Sequence, residues 1–215
     1  MNTKAKIVLV LLCAASAFPV VGWAQVTITF DYRFDANNFF SGHSDRQATL
    51  QAAANALQSR MADTLSAISP GGGNTWTATF SNPASGNPNN FTDLNVAANT
   101  IVIFAGGRNL PGNILGQGGP GGFSGSGSAG WVNTLQTRGE SGAPLTDFGP
   151  WGGSLSFSTS VSWYFDNDPS TVESFPSQND FYSVAIHELG HTLGIGTAQS
   201  WNNLEIGRAS CRERV

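Results

Sequence analysis

The chain has 215 residues and a formal net charge of −4, and between Gln25 and Glu205 it holds five arginines, no lysine and thirteen carboxylates. An acidic surface of this kind excludes nucleic acid and anionic membrane as natural partners. No cysteine falls in that stretch, so disulfides are excluded as its staples, and about 180 residues can bury a core without them.

The two ends read differently from the middle. Lys4 and Lys6 precede an apolar run from Ile7 to Val21, and Gly22-Trp23-Ala24 closes it. That layout predicts a secretory signal peptide over 1–24 and a secreted, extracellular protein. The run is short for a membrane span and Pro19 interrupts it, so no span is expected in the mature chain. Leu12 stands before Cys13 where a lipoprotein would need a small residue. At the other end, residues 206–215 carry three arginines in ten and resemble the translation of a sequencing adapter. They are expected to be a non-native tail, with the natural protein continuing past Glu205.

Between these ends, Val26–Phe34 alternates β-branched or aromatic residues with polar ones and predicts a strand. Asp45–Ser66 has helical spacing, with Leu50, Ala53, Ala54, Leu57, Met61, Leu65 and Ile68 on one face. Ser44 or Asp45 is its expected cap, and Pro70-Gly71-Gly72-Gly73 its stop. Thr75–Phe80 predicts a second strand, followed by a loop over 81–90. Thr100–Ala105 is continuously apolar and reads as a central strand buried on both faces. The glycine-dense stretch Gly106–Gly130 lacks the lysine and spacing of a phosphate loop and reads as a long surface loop. Ser154–Ser158 and Ser162–Phe165 predict further strands. Asp166-Asn167-Asp168-Pro169 reads as a turn rather than a calcium site, because no full ligand set accompanies it. A last helix is expected over Phe181–Leu193, capped by Asp180 and stopped by Gly194.

That helix carries His187-Glu188-Leu189-Gly190-His191. Histidines four apart share one helix face and can meet a single ion, and zinc accepts imidazole nitrogens at about 2.0–2.1 Å. Glu188 lies beside the first ligand, where it can take a proton from a zinc-activated water. Ala185, Leu189 and Leu193 fall on the opposite line and are expected in the core, and Gly190 is expected to let another backbone approach closely. The predicted cofactor is Zn2+, held by His187 and His191, with Glu188 as the catalytic base.

His187 to Gly194 resembles the start of the metzincin zinc motif, in which a third histidine follows three residues after the glycine. Thr197 stands there in this chain. The segment Gly194–Trp201 is instead similar to exported bacterial metallopeptidases related to leishmanolysin, whose third histidine lies much further on. The resemblance also touches Phe30–Asp35, Gly118–Gly122 and Asp147–Gly153. It implies a secreted zinc endopeptidase acting on peptide or protein substrates. It also implies an α+β fold: the upper half of a metzincin-like catalytic domain over 25–205, with a twisted mixed sheet backed by the 45–66 helix and the zinc helix beneath. An edge strand in such folds pairs with the substrate backbone, and Ser154–Ser158 is the candidate. His43 and Glu205 are the other residues weighed as a third ligand, and truncation explains its absence better than either. Two alternatives remain. One is a non-catalytic exported domain binding protein or carbohydrate, with Trp76, Trp131, Trp151 and Trp163 as a sugar surface. The other is a degenerate peptidase.

Overall fold

The computed structural model describes residues 26–140, 147–166 and 168–204. The expected signal segment 1–24, Glu205 and the tail 206–215 lie outside the described residues. The strands are β1 (Thr27–Asp31), β2 (Thr75–Ser81), β3 (Pro88–Thr92), β4 (Thr100–Arg108), β5 (Gly116–Pro120), β6 (Gly122–Ser126), β7 (Gly152–Ser158), β8 (Trp163–Tyr164) and β9 (Asn179–Asp180). The helices are α1 (Ser44–Gln58), α2 (Ala129–Thr137), α3 (Phe181–Thr192) and α4 (Gln199–Leu204). No helix among the described residues is long and apolar enough to cross a membrane.

The main sheet has the order β1-β4-β7-β5. β1, β4 and β7 are parallel, and β5 runs antiparallel to β7. A second, antiparallel sheet has the order β3-β2-β6. The fold class is therefore α+β with mixed sheets.

β4 explains the layering. Its Ile101, Ile103 and Ala105 point one way and join Leu155 and Phe157 of β7 in a core with Leu50, Ala53 and Ala54 of α1 and Phe181, Ala185 and Leu189 of α3. Val102 and Phe104 point the other way, into a second core with Trp76, Ala78, Phe80 and Trp151. Because strand side chains alternate, an unbroken apolar run fills both faces at once. Each large side chain so buried contributes about 1.5–3 kcal/mol. Helices thus cover one face of the main sheet and the second sheet covers the other.

Several elements depart from the sequence expectation. α1 ends at Gln58 rather than Ser66. Beyond it the backbone pairs across the chain instead of along a helix: Asn99 N–H donates to Leu65 O, Ser66 N–H to Arg138 O, and Ile68 bridges to Val96. Leu65 and Ile68 are buried as their helical spacing suggested, but from non-helical chain and in different cores. His43, not Ser44 or Asp45, occupies the N-cap and makes no side-chain cap bond, while Asp45 sits in the first turn. β3 begins inside the expected 81–90 loop and runs on to Thr92. The glycine-dense stretch is not a surface loop: it forms β5 and β6 and leads into α2. Asn167, inside the expected 166–169 turn, lies outside the described residues; just beyond it Ser170 N–H donates to the Asp168 carboxylate and Thr171 N–H to Asp168 O.

Arg138, at the left-handed end of α2 (φ 51°), is fully buried. It has carbonyl partners in four places: Nε and Nη2 donate to Ser66 O, Nη1 to Thr100 O and Pro150 O, and Nη2 also to Ala97 O. Burial pulls its pKa down to about 10, opposed by the charge of Glu140, so it remains a cation at neutral pH. The planar fork ties the entries of β4 and β7 to the chain after α1. Arg138→Lys has a single nitrogen and cannot reach these carbonyls together. We predict a loss of about 3 kcal/mol in urea unfolding, several times that of Arg33→Lys at the surface; equal effects would remove Arg138 from this role.

Candidate metal centre

α3 is delimited as its sequence suggests. Asp180 is the N-cap and its carboxylate accepts from Tyr182 N–H (3.1 Å) and Ser183 N–H (3.2 Å). At the other end Gly194 has φ +102°, and Phe148 packs so close that a Cβ there would stand 2.6 Å from its ring. Phe181, Ala185 and Leu189 are buried and Leu193 is partly buried against the same core. Gly190 does not admit a second backbone: a Cβ there would be 3.6 Å from the Ile195 side chain, an ordinary contact.

His187 and His191 project from the opposite face. Their Nε2 atoms are 3.0 Å apart and their rings are nearly perpendicular, at 88°. Both nitrogens are thus within reach of one ion at the bond lengths zinc prefers. The far nitrogen of His191, Nδ1, is 2.9 Å from Ile195 O. A carbonyl only accepts, so Nδ1 carries the proton and Nε2 presents its lone pair to the site. The turn that aims this carbonyl uses Gly194 and Gly196, both at positive φ, and Thr197 closes it by donating from Oγ1 to His191 O (2.7 Å). Thr197, where the sequence resemblance would put a third ligand, is therefore engaged with backbone. The chemistry of the donor pair suits zinc. His43 stands at the start of α1, and no group of three His, Cys, Asp or Glu gathers round one point among the described residues.

Glu188 is almost buried, at 7 % exposure, beneath β5. The strand can lie this low only because it lacks side chains there. A Cβ on Gly116 would stand 2.7 Å from Glu188 Cγ and 3.0 Å from Oε1, and one on Gly118 would be 2.3 Å from Glu188 O. Gly116 also borders a cleft of about 670 Å³ lined by Ile114, Leu115, Val184, His187 and Glu188.

β5, not 154–158, is the sheet edge beside the site. β7 lies inside, paired on both sides. Ser158 N–H donates to Leu115 O and Gly121 N–H to Gly152 O, so positions 115, 117, 119 and 121 turn their backbone towards β7. By alternation Gly116 and Gly118 turn theirs outward. Sequence reasoning missed these two glycines, because a glycine run shows no hydrophobic period.

The sugar-surface expectation fails. Trp76, Trp131, Trp151 and Trp163 are all buried, and their indole N–H groups donate to the carbonyls of Leu94, Thr75, Gly122 and Ser158. They are core residues whose polar edge is satisfied by backbone.

Comparison with family models, curated proteins and solved structures returns no match.

The packing of β5 on α3 is testable at neighbouring glycines. Gly118→Ala drives a methyl into the Glu188 carbonyl, whereas nothing lies within 4 Å of a Cβ on Gly119. We expect Gly118→Ala to lower stability by about 1–3 kcal/mol and Gly119→Ala to leave it nearly unchanged, measured by denaturant unfolding. The same effect at both positions would show that the close contact does not govern the strand.

Proposed function

We propose that this protein is a secreted zinc-dependent endopeptidase of the metzincin type, with His187 and His191 as metal ligands and Glu188 as general base. The observation that supports this most is the convergence of the two Nε2 atoms, 3.0 Å apart, with Glu188 beside them under an unpaired strand edge. A zinc ion held there supplies Lewis acidity, which acidifies water and polarises a carbonyl.

The chain's own residues account for the rest. The outward N–H and C=O groups of Gly116 and Gly118 can pair with an extended peptide and demand little of its sequence. Their missing side chains let that peptide lie close to the two histidines. Glu188 accepts a proton from the attacking water and returns it to the departing amine nitrogen, so the C–N bond breaks while a C–O bond forms. Burial under β5 keeps its carboxylate in one place. Ile114, Leu115 and Val184 suit a large apolar substrate side chain beside the scissile bond. The burial of Trp76, Trp131, Trp151 and Trp163 removes those four side chains as the sugar surface of the carbohydrate-binding alternative.

Glu188→Gln keeps size and removes basicity. In the zinc-loaded full-length protein it is expected to retain zinc and to lose peptide hydrolysis by about 10²–10⁴-fold. His187→Ala and His191→Ala are expected to lose metal and activity together. Ordinary proteolysis by Glu188→Gln, assayed with a fluorogenic peptide alongside metal content, would leave the helix as a metal staple without a catalytic base.

A further inference from the structure

β5 has a second depression at its far end. It measures about 450 Å³, and Phe123, Leu135, Phe148, Pro150 and Trp151 line it, with Asp147. None of these residues belongs to the metal-site cleft. Phe123 is 40 % exposed, so an aromatic face is open to a ligand there.

The two depressions flank the two ends of β5, the first on the α3 side and the second beside the second core. Gly116 packs on Val184 and Glu188, Gly118 on the Glu188 carbonyl, and Gly153, the partner of Pro120, on Thr192. Phe148 then packs on Gly194. Strand and helix therefore run side by side in the same direction. Travelling from Gly116 towards Gly121 passes along α3 from Val184 and Glu188 towards Thr192 and Gly194. Gly116 borders the first cleft and Gly121 the second. Five residues of strand cover about 17 Å. The far depression is also firmly built. Trp151 lies under the β5–β6 junction, where a Cβ on Gly121 would be 2.0 Å from its ring, and its indole N–H donates to Gly122 O. Leu135 fills the space left by the missing side chain of Gly125.

We infer that this depression is a remote subsite for a large apolar side chain of the same peptide, on the other side of the scissile bond from the residue in the first cleft. The inference rests on the peptidase reading for its ligand. A chain paired along β5 runs straight from one depression to the other, so the two recognised side chains stand about five residues apart. Asp147 at the wall disfavours an acidic residue at that position.

Fluorescently labelled decapeptides bound to the zinc-free protein test this without catalysis. Each carries one leucine for the first cleft and a phenylalanine two to eight positions away. Affinity is expected to peak at a spacing of about five, at least about tenfold above the peptide with alanine there, with aspartate weaker still. Phe123→Ala should bring that ratio close to one. Its exposure makes the substitution mild for folding, which a thermal melt checks. A flat spacing profile, a ratio unchanged in Phe123→Ala, or no binding by any peptide would each overturn the subsite. Hydrolysis is scored separately with zinc present. Spacing-dependent binding without any hydrolysis would keep the subsite and lose the peptidase. Hydrolysis of short peptides with a flat profile would do the reverse.

Discussion

The close approach of β5 to α3 is the constraint on which the site depends. Two side chains are missing from the strand, at Gly116 and Gly118, and the helix fills the space with Glu188 and its carbonyl. One contact has three consequences. It buries most of Glu188, it sets the height of a free strand edge above α3, and it leaves a cleft at the Gly116 end lined by His187 and Glu188. Interiors are packed densely enough that one methyl group in this contact has to move something. The rest of the fold holds the two partners in register. The parallel strands β1, β4 and β7 carry β5 at their edge, and Phe181, Ala185 and Leu189 fix α3 against the same sheet.

The histidine pair is pre-set by backbone. Ile195 O fixes the proton on His191 Nδ1, and Thr197 and two positive-φ glycines shape the turn that presents that carbonyl. The entropic cost of ordering His191 is met on folding rather than on metal binding. The buried guanidinium of Arg138 plays a similar part at the start of β4 and β7, where it gathers the carbonyls of Thr100 and Pro150.

What the sequence revealed follows from which physical signals are local. The i,i+4 histidines, the Asp180 cap and the Gly194 stop are properties of one helix, and all three stand where spacing put them. The apolar run of β4 announced a strand buried on both faces. Strands β5 and β6 were invisible because Gly116–Ser126 has almost no apolar period, and their pairing is decided by β7 and β2. The same missing information made 154–158 look like an edge: its alternation shows a strand but not how many neighbours it has. Leu65 and Ile68 kept helical spacing by coincidence, and long-range bonds to Asn99 and Val96 decided their conformation. The tryptophans show the same limit, since an indole reads alike in a core and on a binding surface until its N–H partner is known.

The central claim is that His187 and His191 hold one metal ion at the edge of β5. Crystals soaked in zinc and measured at the zinc absorption edge test it directly. The account predicts an anomalous peak about 2.0–2.1 Å from both Nε2 atoms, beside Glu188 and facing the outer edge of Gly116 and Gly118. A peak bound by only one of these histidines, or no peak between them at saturating zinc, would contradict it.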